Sequence, residues 1–147
     1  MTAGTIGIDP GMSGGLAFIT NGTVIVSKMG ATERDTFEIL QTYADHQPTM
    51  AYIESVHSMP RQGVASSFKF GVNYGLLRGM LIALGIPFET VTPLTWQKLM
   101  RCQTKGDKNV TKAKAQELFP HIKITHNIAD ALLIAEYGRR KNGHSDS

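Results

Sequence analysis

The pair Asn21-Gly22, between two short apolar runs, is the feature that most constrains the fold of this chain. Asn-Gly favours the two-residue turns that join antiparallel strands, because both residues tolerate a positive φ. The runs at residues 14–20 and 23–29 therefore predict a β-hairpin. Residues 5–8 form a further apolar run, so we expect the chain to open with a three-strand antiparallel meander.

After the meander, helical and strand patterns alternate along the chain. We expect helices over residues 34–45, 66–84, 93–100, 110–119 and 127–140, and strands over residues 50–53 and 87–91. The order βββ-α-β-α-β-α-α-α predicts an α/β fold with a mixed five-stranded sheet and helices on both faces.

The length of 147 residues fits one domain, which we expect over residues 1–141, followed by a disordered tail over residues 142–147. The chain does not start like a signal peptide, and no apolar run is long enough to span a membrane. The single cysteine, Cys102, excludes an internal disulfide and disfavours a cysteine-based zinc site. A reducing, cytoplasmic compartment is the expectation.

Three carboxylates stand where predicted elements begin or end. Asp9 follows the first strand, Glu54 follows residues 50–53, and Asp130 precedes an apolar run in the last helix. They can meet only if the strands are neighbours in one sheet. Clustered carboxylates repel one another unless cations lie among them, and two Mg²⁺ ions held there could act on a phosphodiester. Two alternatives stay open: Asp9 could cap its own turn, and Glu54 could face solvent.

The start of the last predicted helix offers two further candidates. His126 and Asn127 lie four and three residues before Asp130, so either can share a helix face with it. Imidazole can bind a metal or carry a proton. Asn127 is also a typical N-cap residue. We favour His126, and Asn127 remains the alternative.

Positive charge is concentrated in one segment. Residues 98–123 hold seven basic and two acidic side chains, for a net charge of +5, whereas residues 1–97 hold five and seven, for −2. Such a segment is typical of a phosphate-binding surface. The alternative is an ordinary solvated helix with lysines on its outer face.

Small residues recur every four positions in the long helix, at Gly71, Gly75, Gly79 and Ala83. Each glycine costs a helix about 1 kcal/mol relative to alanine, so the stripe suggests that another backbone packs closely against it. That backbone could belong to the protein's own sheet or to a second copy of the chain. We favour a homodimer contact formed by Gly71, Gly75, Leu76, Gly79 and Met80.

Four segments in the right order resemble RuvC-like Holliday junction resolvases, in particular the shorter bacteriophage type. They are Ile6-Gly7-Ile8-Asp9-Pro10-Gly11, Ile53-Glu54-Ser55-Val56-His57-Ser58-Met59-Pro60, Phe68-Lys69-Phe70-Gly71 and Ala129-Asp130-Ala131-Leu132-Leu133-Ile134-Ala135-Glu136-Tyr137-Gly138. The resemblance implies an RNase H-like fold, a homodimer and two Mg²⁺ or Mn²⁺ ions per active site. It also implies paired nicks in four-way DNA, in the cytoplasm of a bacterium or a phage-infected bacterium.

The resemblance also implies roles for individual residues. Asp9, Glu54 and Asp130 match acidic metal ligands. The family usually has a further Asp or His three or four residues before the last ligand. This chain has Asn127 and His126 at those positions, and we favour His126. Lys108 matches a basic residue near the scissile phosphate. Together with the charge distribution, this predicts a DNA-binding surface comprising His57, Arg61, Lys69, Lys98, Lys105, Lys108 and Lys112.

Other functions are compatible with parts of the pattern. ATP-dependent enzymes of the actin and sugar-kinase type also open with an Asp-Pro-Gly-like turn, but they need a second domain and a second phosphate loop. We therefore expect no nucleotide cofactor. A module that binds junctions without cutting them is an alternative, because no carboxylate precedes Asp130 closely. An RNA-processing nuclease of the same superfamily is another.

Overall fold

A computed structural model describes residues 4–48, 50–55 and 63–143. Ten elements follow in the predicted order, with bounds that differ from the predicted ones by only one or two residues. The strands are β1 Thr5–Asp9, β2 Gly15–Thr20, β3 Thr23–Lys28, β4 Met50–Glu54 and β5 Phe88–Val91. The helices are α1 Glu33–Ala44, α2 Val64–Ala83, α3 Pro93–Leu99, α4 Asn109–Leu118 and α5 His126–Lys141.

The five strands form one mixed sheet in the order β3-β2-β1-β4-β5. β1, β2 and β3 pair antiparallel, with Gly22 at a positive φ of 79° in the turn between β2 and β3. β4 pairs parallel with both β1 and β5. The predicted meander and the predicted mixed sheet are both confirmed.

Helices cover both faces of the sheet, and a separate apolar cluster lies under each set. Ile6 and Ile8 of β1 face the cluster that contains Leu40 of α1 and Leu77 of α2. On the other face, Tyr52 of β4 joins the cluster that contains residues of α3, α4 and α5. This follows from the alternation of side chains along a strand. Buried on both sides, β1 and β4 form the centre of the molecule.

α5 packs very closely against the central strand β1. A Cβ added to Gly7 would collide with the backbone of Ala131 and Ala135, so no larger residue fits at that position. At the other end of the helix, Gly138 lies against the ring of Tyr52 in the same way. Small residues on both elements thus fix the depth and the rotation of α5 over the sheet.

The glycine stripe of α2 faces away from the sheet. Nothing lies within 4 Å of a Cβ built on Gly71, Gly75 or Gly79. The alternative in which this stripe packs on the protein's own sheet is therefore wrong. Leu77 and Leu81 face the sheet instead, and Met80 is only 8% exposed, so it offers little surface to a partner.

Among the described residues, no helix is both long and apolar enough to cross a membrane. Asn142, which the sequence placed in the tail, follows the end of α5, where its side chain accepts a hydrogen bond from the hydroxyl of Tyr52 at 3.1 Å.

Candidate active site

The first two carboxylates lie at the ends of neighbouring parallel strands. Asp9 is the last residue of β1 and Glu54 the last of β4, and the register pairs Ile8 with Ile53 just before them. Ligands in such sheets commonly bind beyond the carboxyl ends of the strands. The sequence predicted this convergence, and the pairing of β1 with β4 produces it.

A cavity of about 470 Å³ opens at this edge of the sheet. Asp9, Glu54 and Asp130 all line it, although they are up to 121 positions apart in sequence. Asp130 arrives from the first turns of α5, because the close packing of that helix on β1 holds its N-terminal end over the strand ends. His126 and Lys108 line the same cavity.

The three carboxylates are poorly hydrated and repel one another. Burial, reinforced by the charge of Asp130, raises the pKa of Asp9 to about 6. Burial and then the charge of Asp9 raise the pKa of Glu54 to about 8, against the donor Trp96. Burial also raises the pKa of Asp130, against the effects of Thr111, Lys108 and His126. Such clustered, perturbed groups in a cleft are typical of functional sites.

The turn after β1 holds Asp9 in place. The backbone N–H of Gly11 donates to Oδ1 of Asp9 at 3.3 Å. Gly14 passes so close to Asp9 that a Cβ there would collide with the Asp9 backbone. Asp9 does accept a bond from its own turn, as the structural alternative proposed, but it still lines the cavity with the other two carboxylates.

His126 and Asn127 have different contacts at the start of α5. The predicted N-cap role of Asn127 is wrong: Thr125 is the N-cap residue, and Asn127 lies inside the helix. Its side-chain amide instead donates to the backbone oxygen of Ser13 at 2.8 Å, linking α5 to the turn after β1. His126 is exposed and close enough to Asp130 to lower the pKa of that carboxylate.

Two residues at the site were not predicted from the sequence. Nε1 of Trp96 donates to Oε2 of Glu54 at 2.7 Å. Thr111 is only 3% exposed, and its hydroxyl lies close enough to Asp130 to lower the pKa of that carboxyl. Trp96 lies in α3 and Thr111 in α4, and both side chains are buried. A buried Trp or Thr needs a hydrogen-bond partner, but the sequence alone does not identify which residue that partner is.

The predicted cationic residues are distributed over several surfaces. Lys108 lies on the cavity, just before α4, and Lys105 stands between the lining residues Thr104 and Gly106. Lys98 is exposed on α3 and Lys112 partly exposed on α4. Lys69 lies elsewhere, on a smaller cavity with Met12 and Phe68. His57 and Arg61 lie outside the described residues.

The donor set suits a hard divalent cation. Carboxylate oxygens are the ligands that Mg²⁺ prefers, and a cation would relieve the repulsion among these partly buried groups. In the part of the chain that the structure describes, no three His, Cys, Asp or Glu side chains already lie close enough to hold one ion together. The chemistry of this donor set therefore fits a cation.

Comparison with known proteins agrees at the level of the fold. No protein-family model and no curated protein matches the chain. Among solved structures, Thermus thermophilus RuvC in complex with a Holliday junction substrate is similar over 97% of both chains, with a TM-score of 0.63 and 16% identity. A second structure of Thermus thermophilus RuvC gives the same TM-score and identity, covering 96% of this chain and 97% of the other.

The chain has the fold of RuvC. It is an RNase H-like fold, as the sequence motifs implied. Similarity to RuvC covers nearly the whole chain, so the sheet and the helices that carry Asp9, Glu54 and Asp130 all belong to the shared architecture. A fowlpox virus resolvase, in complex with substrate Holliday junction DNA, is also similar, with 13% identity, a TM-score of 0.48 and coverage of 93% of this chain and 99% of that one.

Proposed function

We propose that this protein is a metal-dependent endonuclease that resolves four-way and other branched DNA by paired nicks. The observation that carries the proposal is the cavity at the strand ends, which three partly buried carboxylates line together with one histidine and one lysine. The fold of RuvC supports the substrate class, because the RuvC of Thermus thermophilus was solved with a Holliday junction.

Each residue of the cavity has a role in this proposal. Asp9, Glu54 and Asp130 would hold two Mg²⁺ or Mn²⁺ ions. Bound there, such ions would activate a water molecule and stabilise the leaving oxygen of a phosphodiester. His126, exposed beside Asp130, would complete the ligand set or carry the proton released by the water. Lys108 would stabilise negative charge that develops on the phosphate.

The phosphates that flank the cut would bind to the basic segment around the cavity. Lys98, Lys105 and Lys112 lie on α3, on the loop after it and on α4, and all three keep their side chains at least partly exposed. Phosphate contacts of this kind position a protein on DNA without reading its sequence. With such contacts, junction binding should persist when the carboxylates are changed.

A homodimer would match the symmetry of the substrate. Two nicks on opposing strands need two sites in fixed relation, which a two-fold dimer supplies. The open glycine stripe of α2 supports this contact, since Gly75 and Gly79 line a groove of about 590 Å³ with Phe37 of α1. Exposed apolar side chains continue along the same helix, including Phe68 at 71% and Ile82 at 68% exposure.

The decisive experiment compares a synthetic four-way junction with a matched linear duplex, with Mg²⁺ and with a chelator. Native protein should nick the junction only when the metal is present. Asp9→Asn, Glu54→Gln and Asp130→Asn should each lower nicking by roughly a hundredfold or more, because each removes a charged ligand. Junction affinity should change little.

Glu38→Gln is the matched control, because it neutralises an exposed carboxylate on α1, remote from the cavity lining. It should leave nicking unchanged. Normal nicking by Asp9→Asn would refute the assignment of the site. Tight junction binding without any nicking by native protein would favour the binding module instead.

A further inference from the structure

The bond between Trp96 and Glu54 joins the buried core to the cavity. Nε1 of Trp96 donates to Oε2 of Glu54 at 2.7 Å. The tryptophan is 0% exposed and belongs to the apolar cluster under α3, α4 and α5, whereas Glu54 lines the cavity. Trp96 is the only tryptophan in the sequence.

The pairing of β4 with β5 and the start of α3 bring Trp96 and Glu54 together. β4 and β5 run parallel, and Glu54 pairs with Val91, so the two strands end side by side. Thr92 then caps α3, with its hydroxyl accepting from the N–H of Thr95 at 3.2 Å. One turn into the helix, the N–H of Trp96 bonds to the oxygen of Thr92 at 3.2 Å. Trp96 is thereby held beside the end of β4.

Packing alone does not explain a tryptophan at this position. Phenylalanine or leucine could fill an apolar space in α3, but neither carries a hydrogen-bond donor. The indole N–H is a donor only, and a buried one needs an acceptor. Here the acceptor is a carboxyl oxygen of Glu54 at 2.7 Å, and ionisation of that group strengthens such a bond. The bond occupies one of the two oxygens of Glu54 and restricts the rotation of its carboxylate.

We infer that Trp96 is a positioning residue for the metal site: its indole N–H orients Glu54 for a divalent cation. The inference rests on the proposed function, since it assumes that Glu54 is a ligand. Partners that orient metal ligands in this way commonly contribute about tenfold to a hundredfold in metal affinity. Glu54 without this donor would rotate freely and bind the cation more weakly.

Because Trp96 is the only tryptophan in the sequence, its indole N–H can be replaced without changing any other residue. Expression in a tryptophan auxotroph supplied with benzothienylalanine replaces Trp96 alone, with sulfur in place of the N–H and nearly the same shape. Isothermal titration calorimetry with Mn²⁺, in the absence of DNA, should then show an affinity about tenfold to a hundredfold weaker than native. Circular dichroism should show an unchanged fold.

Met100→Leu is the matched control for core packing. Met100 is 1% exposed and lies in the same apolar cluster, directly after α3, but it does not line the cavity. This change of similar volume should leave the Mn²⁺ affinity as it is in the native protein.

A second measurement uses the native protein, so it does not depend on the folding of the substituted one. Mg²⁺ should shift or quench the emission of Trp96, because binding at Glu54 changes the charge on the group that accepts its N–H. Glu54→Gln should abolish that response. Thermal melts would report Mg²⁺ binding independently.

The outcomes separate the two hypotheses. Equal Mn²⁺ affinities of the native and benzothienylalanine proteins would overturn the role of Trp96 and leave the proposed function intact. Mg²⁺ that stabilises the protein without changing its emission would overturn it as well. A native protein that binds neither ion would refute the proposed metal dependence, and the role of Trp96 with it.

Discussion

At the residue scale, His126 and Asn127 show that neighbouring side chains at the start of one helix can have different roles. Both precede Asp130 and both line the cavity. Asn127 uses its amide to hold the oxygen of Ser13, so it links α5 to the turn that carries Asp9. His126 is exposed at the first position of α5. These contacts favour a chemical role for His126 and a structural role for Asn127.

We therefore expect His126→Ala to lose most of its nicking activity, by about tenfold to a hundredfold, with unchanged stability. His126→Asp should restore activity with Mg²⁺, because a carboxylate suits that ion better than imidazole does. Native protein should correspondingly prefer Mn²⁺. Rates of junction nicking with each ion test this.

Asn127→Ala is the comparison variant for this prediction. It should lower thermal stability by a few degrees, because it removes the bond to Ser13, and reduce nicking less than His126→Ala does. A fully active His126→Ala beside an inactive Asn127→Ala would show that the roles are reversed.

Burial of Glu54 makes the stability of the metal-free protein depend on pH. Its pKa lies at about 8 in the folded protein, through burial and the charges of Asp9 and Asp130, against an ordinary value of 4.5. Above pH 8 the carboxylate is charged in the folded and the unfolded state, and the folded state is penalised. As the pH falls from 8 towards 4.5, the folded state takes up the proton first, so stability rises.

Thermal melts of metal-free protein should therefore show a higher Tm at pH 6 than at pH 8, by about 3 °C or more. Glu54→Gln should be more stable than native at pH 8 and should show a smaller pH dependence. The remaining dependence should come from Asp9, whose pKa of about 6 is also raised. Glu38→Gln should behave like native protein. A Tm that rises from pH 6 to pH 8 would contradict this reasoning.

At the element scale, two helices use small residues for opposite purposes. α5 places Ala131, Ala135 and Gly138 against the sheet, where a larger group has no space. α2 places Gly71, Gly75 and Gly79 on its outer side, where a Cβ would meet nothing within 4 Å. Glycine in an exposed helix face costs stability without a structural need in the monomer. A partner that approaches the backbone would supply that need.

Gly75→Leu should accordingly give a folded monomer, whereas native protein should be a dimer. The added side chain has free space in one molecule but would block a close approach between two helices. Light scattering would give the mass and circular dichroism the fold. Junction nicking on opposing strands should become uncoupled, because the two sites would no longer be held together.

Gly7→Ala provides the contrast on the other face of the sheet. Its Cβ would collide with α5, so this smaller change should lower the Tm strongly or prevent folding. A dimeric, fully active Gly75→Leu would exclude α2 from the dimer interface. A native protein that stays monomeric would contradict the dimer itself.

At the scale of the whole molecule, charge is divided between two regions. The net charge of +3 includes a segment of +5 over residues 98–123, which contains the loop and the helix α4 that line the cavity. The three carboxylates are partly buried in the cavity beside this segment. Such a distribution attracts a polyanion to the rim and leaves the negative centre for cations.

Replacing Lys98, Lys105 and Lys112 together by glutamine should weaken junction binding and lower its dependence on salt. The slope of log K against log salt should fall by roughly 0.9 for each phosphate that the protein no longer neutralises. Filter binding or fluorescence anisotropy at several salt concentrations measures this slope. Binding that keeps its full slope would place the DNA on another surface.

Lys141→Gln is the control for this surface. Lys141 ends α5, roughly 22 Å from the start of that helix. It is bonded to Glu89 at 2.9 Å. Its replacement should leave junction binding unchanged.

The sequence by itself determined the order of the elements and the positions of the candidate ligands. The turn at Asn21-Gly22 and the alternating patterns predicted the meander, because these features are local. Asp9 and Glu54 stood out because a carboxylate at the end of an apolar strand is costly without a partner. Local patterns of this kind do not depend on what packs against them.

Only the tertiary structure decided which side chains meet. Trp96 and Glu54 are 42 positions apart, and a helical pattern predicts equally well that a tryptophan packs in the core or donates to a carboxylate. Asn127 is a residue type that often caps helices, but its side chain donates to the backbone oxygen of Ser13 instead. The glycine stripe of α2 had the same period whether it faced the sheet or solvent. Which side chains meet depends on the rotation of each helix about its axis. That rotation is set by packing between segments that are distant in sequence.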